Sequence, residues 1–151
     1  MENRRIETGE DNPILRRKAK EIKEITPQIK ELVLGMIKTM KSAKDSIGLA
    51  APQVGESLRI IIVGDIKNKG KVLVLINPEI KKSSFRKETL PEGCLSLPGF
   101  QSSVKRSKKI SLRGLSLDGE LIEIKTEGFL ARIIQHEIDH LDGVLISDKN
   151  G

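Results

Sequence analysis

The chain has no tryptophan and no tyrosine, and only three phenylalanines among its 151 residues. Proteins that grip single-stranded nucleic acid stack bases on aromatic side chains, so a platform of that class is excluded. The lone cysteine, Cys94, cannot staple the fold, and a free thiol fits a reducing cytoplasm. No apolar run approaches the roughly 18 residues of a membrane span; Leu73-Val74-Leu75-Ile76 is typical of the longest. Behind Met1-Glu2-Asn3-Arg4-Arg5 there is no apolar stretch of the secretory kind, so no leader is expected. Internal repeats, linkers and low-complexity tracts are missing too. Residues 1–151 are therefore expected to form one domain, long enough to bury a core.

Charge is plentiful. Lys and Arg number 27 against 21 Asp and Glu, a formal net charge of +6. The lysines are spread in pairs such as Lys81-Lys82 and Lys108-Lys109 rather than gathered on one helix. That pattern describes a solvated surface, and no specific nucleic-acid site is expected from it.

Hydrophobic spacing divides the chain into three zones. After an irregular start marked by Asn12-Pro13, Thr26 can cap a helix running from Pro27 to about Lys44. Ile29, Leu32, Val33, Met36, Ile37 and Met40 form its apolar stripe, which makes the methionines core residues rather than metal thioethers. From Leu58 to about Thr126 the signals are those of strands. Arg59–Val63 and Lys71–Ile76 are joined through Asn68-Lys69-Gly70, and Lys109–Leu115 and Leu121–Thr126 flank Asp118-Gly119, a two-residue hairpin signal. Leu90 to Gly99 reads as loop. A last helix runs from about Gly128 to Leu141, with Gly143 as its stop.

That last helix carries Gln135-His136-Glu137-Ile138-Asp139-His140, which holds the only two histidines of the chain. At 100° per residue His136 and His140 lie one turn apart and point the same way, so they can grip one divalent ion, with Glu137 beside them to move a proton. On a wheel with Ile133 at zero, Phe129, His136, Glu137 and His140 fall within about 60° either side. Arg132, Gln135, Asp139 and Asp142 take the far, polar face. The histidines thus sit at the edge of the buried stripe, where imidazole and carboxylate need partners that a metal ion would supply. A catalytic site usually takes three protein ligands, and downstream only the carboxylates of Asp142 and Asp148 are on offer. Upstream lies Cys94, within Glu92-Gly93-Cys94-Leu95-Ser96.

With Gly48-Leu49-Ala50-Ala51-Pro52-Gln53 as a third motif, in this order and spacing, the sequence resembles the peptide deformylases from about Pro13 to about Asp148. The resemblance implies an α+β fold, antiparallel strands packed around a central helix that carries the H-E-x-x-H motif. It implies a hydrolase that removes the formyl group of N-formylmethionyl nascent polypeptides and releases formate. Cys94, His136 and His140 would hold one divalent metal ion with a water as fourth ligand; Fe²⁺ is favoured, while Zn²⁺, Ni²⁺ and Co²⁺ tolerate the same donors. Glu137 would be general base and acid, and the Gln53 side-chain amide and the Leu95 backbone N–H would bind the oxyanion. The substrate would lie as an added strand against Ile47 and Gly48, with Gly93 alongside. Leu90, Phe129 and Ile133 would line the methionine pocket. A monomer is expected, with at most weak affinity for the ribosome and none for membranes.

Three departures from the family pattern stand out. Ser46 replaces a glycine that usually opens the first motif, and would be strained if its φ were positive. Gln101 stands where some members carry arginine. The chain stops at Gly151, where many relatives continue into a helix used at the ribosome. Two other readings fit the helix motif alone: a zincin-type protease or other amidase, for which a downstream ligand is wanting, and a binding protein with a structural metal, which would need neither Glu137 nor Gln53.

Overall fold

The computed structural model describes residues 4–43, 46–64 and 70–149. A single helical turn and a long helix come first. Helix α1 (Pro13–Arg16) is capped by Asn12, whose side chain accepts from the Ile14 N–H at 3.0 Å. Helix α2 (Pro27–Ser42) starts as its sequence requires, with Thr26 Oγ1 accepting from the Ile29 N–H at 3.3 Å and proline in the first turn. Leu32, Val33, Met36 and Met40 form its buried face, so the methionines are core residues. The expected end at Lys44 lies outside the described residues.

Strands β1 (Gly48–Ala50), β2 (Ile60–Gly64), β3 (Val72–Ser83), β6 (Lys109–Leu115) and β7 (Leu121–Glu127) form an antiparallel five-stranded sheet in the order β1-β2-β3-β6-β7. A 3-10 turn (Ala51–Val54) follows β1 directly. Strand β2 is buried on both faces. Its Ile60 and Ile62 pack with α2, while Ile61 and Val63 pack with the last helix, α3 (Gly128–Leu141). Two-sided burial explains the uninterrupted apolar run Ile60-Ile61-Ile62-Val63, and each such side chain contributes about 1.5–3 kcal/mol. The Asn68-Lys69 part of the expected β2–β3 connection lies outside the described residues.

Strand β3 runs well past the expected Ile76. At Asn77 the backbone turns to φ 52°, and the pairing with β6 shifts register between Ile76 and Glu79, so Pro78 falls where no ladder donor is needed. The Asn77 side chain behaves as an extra strand residue: Oδ1 accepts from the Ile22 N–H and Nδ2 donates to the Ile22 carbonyl, both at 2.8 Å. The β6–β7 turn is one residue longer than a two-residue hairpin. The Gly119 N–H bonds the Ser116 carbonyl at 2.9 Å, and Gly119 then takes φ 84°, a bulge that only glycine enters without strain.

The stretch read as loop is partly strand. Strands β4 (Lys87–Gly93) and β5 (Gln101–Ser107) make a separate two-stranded hairpin, in register from Lys87 opposite Ser107 to Gly93 opposite Gln101. Helix α3 lies against the five-stranded sheet through Ala131, Ile134, Ile138 and Leu141, and its other side meets the hairpin. No described helix is long and apolar enough to cross a membrane.

Candidate metal centre

Helix α3 presents His136 and His140 one turn apart, with ring centroids 5.1 Å from each other. Cys94 sits where β4 ends, in a turn closed by the Leu97 N–H on the Cys94 carbonyl at 3.0 Å. Its Sγ lies 3.3 Å from His140 Nε2, and the ligand atoms of Cys94, His136 and His140 all fall within 4.8 Å of one another. One soft sulfur and two imidazoles, converging on one point from a hairpin and a helix, form a donor set that fits a divalent transition metal with a position left over.

Glu92 organises this cluster, a role that its place in the motif did not reveal. Its Oε1 meets His136 Nδ1 at 2.9 Å. Arg106 clamps both of its oxygens, at 2.6 and 2.9 Å, and Arg132 adds a contact of 2.5 Å. Burial opposes ionisation of Glu92, but the hydrogen bonds from His136 and Arg106, with the Arg106 charge, outweigh it and lower its pKa to about 2. An ionised Glu92 can only accept, so His136 Nδ1 carries the hydrogen, and Nε2 is the ring nitrogen whose proton a metal ion in the cluster would replace. His136 itself is disfavoured as a cation by burial, yet its contacts with Cys94 and Glu92 and the Glu137 charge raise its pKa to about 10. A metal cation at the same lone pair answers the same negative surroundings. His140 differs: burial and the His136 and Arg106 charges keep it neutral, the form that ligates.

The network corrects the helical wheel. Arg132, expected on the far face, is only 7% exposed, and it also donates to the Val104 carbonyl at 3.0 Å and the Glu88 carbonyl at 2.6 Å. Arg106 reaches Asp139 at 2.7 Å, and the Gln135 side-chain amide binds both the N–H and the C=O of Ser107. The polar face of α3 is covered by the β4–β5 hairpin and held by charge, not by apolar contact.

On the other flank, Gln53 is fixed by a bond from the Ala50 N–H to its Oε1 at 3.0 Å. This orients its Nε2 toward Ser96 Oγ (3.2 Å) and Cys94 Sγ (3.6 Å). Glu137 is buried, and among the described residues its Oε1 has no hydrogen-bond partner. Burial raises its pKa to about 7, against the pull of His136 and Arg106. Its carboxylate lies against the backbone of Gly48: a Cβ on that residue would stand 2.5 Å from Glu137 Oε2.

A family model described as polypeptide deformylase matches residues 4–150. The chain belongs to the peptide deformylase family. It is 50% identical over 138 residues to the peptide deformylase of Dictyoglomus thermophilum, covering 91% of this chain and 87% of that protein. The crystal structure of the peptide deformylase from Thermotoga maritima superposes with a TM-score of 0.91 at 39% identity, covering 99% of this chain and 98% of that one. A class I type b peptide deformylase from Acinetobacter baumannii, bound to Met-Ala-Ser, gives 0.90 at 33% identity, with 97% and 99% covered. The chain is thus an enzyme that removes N-formyl groups from nascent peptides, and the family's members are metalloenzymes.

In this deformylase the cluster opens into a cleft of about 770 Å³. Ile47, Gly48, Gly93, Leu95, Phe129 and Ile133 line it, with Gln101 among its other walls. Leu90 is not among the lining residues. Because β4 continues to Gly93, Leu90 sits on the strand opposite Val104, 39% exposed, and Pro91 faces the cleft in its vicinity. Of the two backbone groups of Ile47, the carbonyl accepts from the Gly64 N–H at 2.7 Å and is committed to β2, which leaves its N–H for a peptide. Alternation along the strand turns the N–H and C=O of Gly48 to the open side, as the outward Ala50 N–H confirms.

Proposed function

We propose that Cys94, His136 and His140 hold one divalent metal ion, Fe²⁺ by family resemblance, with Zn²⁺, Ni²⁺ or Co²⁺ tolerated. The chain is then one catalytic domain hydrolysing N-formylmethionyl peptides to formate and a free amine. The observation that carries this is the convergence of the three donors within 4.8 Å, at the foot of a cleft walled by an edge strand. Bound there, the ion would act as a Lewis acid and lower the pKa of water toward neutrality.

The chain's own groups supply the rest. Glu137 is beside the donors, buried under Gly48 yet at the wall of the cleft, placed to take a proton from the attacking water and pass it to the departing amide nitrogen. The tetrahedral oxyanion would be met by Gln53 Nε2, already oriented by Ala50, and by the Leu95 N–H; one such donor is worth about two to three powers of ten in rate. Gly48 would pair with the peptide backbone, while Phe129 and Ile133 receive the methionine side chain. Glu92, held by Arg106 and Arg132, keeps His136 in the ligating tautomer.

The test is formate release from formyl-Met-Ala-Ser by anaerobically prepared protein, with metal analysis of the same sample and of Cys94→Ser. The expected pattern is one metal per chain, turnover, and loss of both in the variant. Full metal occupancy without formate release would sink the proposal.

A further inference from the structure

We propose that Ser46 sets how tightly peptides bind, by capping the one backbone carbonyl on the open edge of β1 that an incoming peptide uses. The inference rests on the reading above in which the peptide docks along that edge. Strand β1 is the outer strand of its sheet, so one side of its backbone has no partner strand. The Ile47 carbonyl is turned away from that edge to Gly64, and at the far end the Ala50 N–H is taken by Gln53. Gly48 lines the cleft with its carbonyl on the open side, and the Ser46 hydroxyl donates to that carbonyl at 3.3 Å.

Ser46 itself lines the cleft and is half-buried, so its hydroxyl stands in the path of a peptide laid against Gly48. Nor is the residue strained. Among the described residues Asn77 is the only non-glycine with positive φ, so serine in place of the family's glycine costs no backbone energy. What it adds is a donor. An O–H···O bond usually spans about 2.7–2.8 Å, so this contact is long, and a better placed donor can displace it. A carbonyl oxygen has two lone pairs, so a peptide N–H reaching the Gly48 carbonyl from the cleft competes with the serine hydroxyl for the lone pair on that side. Ligands with no donor there escape the competition. A net hydrogen bond of this kind corresponds to about two- to tenfold in affinity.

The experiment measures calorimetric binding of Met-Ala-Ser to metal-loaded wild type, Ser46→Ala and Ser46→Thr, with melting temperatures as folding controls. Each backbone amide of the peptide is also N-methylated in turn. Ser46→Ala should bind the parent peptide about two- to tenfold more tightly, Ser46→Thr should match wild type, and methylating one particular amide should erase the gain. Equal or weaker binding by Ser46→Ala, with that methylation weakening both proteins alike, overturns the role of Ser46 and leaves edge docking standing. If no methylation matters in either protein, edge docking itself fails, and the proposal with it.

Discussion

Replacing Gly48 with alanine adds one methyl group to the tightest contact beside the reacting centre. The new carbon would lie 2.5 Å from Glu137 Oε2 and 2.9 Å from Ile133 Cγ2. The backbone of Gly48 is not in the left-handed region, so alanine meets no conformational penalty and the whole effect is steric. Comfortable separations start near 3.5 Å, so the carboxylate has to retreat by about 1 Å. It cannot swing into water, because Glu137 is only 4% exposed, and Ile133 is 8% exposed. Overpacking of this kind costs about 1–3 kcal/mol, which for a chain of this size lowers Tm by roughly 2–12 °C. A catalytic group displaced by about 1 Å loses about a hundredfold in rate. Metal content should hold, since Gly48 touches none of the three donors. Formate release, metal analysis and a thermal melt on one preparation give all three quantities. A Gly48→Ala enzyme that keeps more than about a tenth of wild-type kcat and melts at the wild-type temperature would refute the packing of Glu137 against this strand.

Other perturbations separate the remaining roles. Glu137→Ala should keep its metal and lose about two to four powers of ten in kcat, as expected for a lost proton-transfer group; metal loss in step with activity would make Glu137 a ligand instead. Arg132→Ala breaks a buried ion pair and strips donors from the Val104 and Glu88 carbonyls. Urea unfolding should show a loss near the lower end of about 3–5 kcal/mol, because Arg106 still pairs Glu92, and a change under about 0.5 kcal/mol would place Arg132 in solvent after all. The Asp148 pKa is lowered by its hydrogen bond to Arg16 and by the Leu145 N–H. A lowered carboxylate pKa stabilises the fold above the unfolded value, and the benefit disappears as pH falls through the folded one. The pair is partly exposed, so Asp148→Asn should cost less than about 1 kcal/mol at neutral pH and nothing at low pH; a difference that grows on acidification would reverse the assignment. Finally, formyl-Gly and formyl-Asp peptides should lose at least about 1.5–3 kcal/mol in kcat/KM against formyl-Met, with formyl-norleucine close to methionine. Equal rates would mean that Phe129 and Ile133 form no operating pocket.

Much of this architecture was legible wherever burial is written in apolar residues. The stripe of α2, its Thr26 cap, the apolar strand β2 and the limits of α3 follow from hydrophobic pattern and capping chemistry alone. The β4–β5 hairpin does not, because Val104 is the one apolar residue among its inward positions and the others, Glu92, Ser102 and Arg106, are polar residues that hydrophobic spacing assigns to solvent. Arg132 was misplaced for the same reason: a charge neutralised across two elements looks the same in sequence as a charge in water. Strand β3 was cut short at Asn77-Pro78, residues that normally end a strand and here form a bulge. The helical periodicity brings His136 and His140 together. It cannot bring Cys94 to them, and only the family resemblance pointed there before the geometry did.

The brevity of β1 has a consequence for how these molecules behave in company. An unpaired sheet edge invites any extended chain, a neighbour's strand included. Here the invitation is three residues long, and Gln53 folds back on its far end at Ala50. What stays open is centred on Gly48, a stretch too short to start a ribbon between molecules. The opposite edge, β7, is longer and is guarded differently, by the exposed charges of Glu123, Lys125 and Glu127. Along both margins the sheet thus offers little bare backbone to a neighbouring copy, and light scattering at rising concentration should show no growth of strand-linked aggregates.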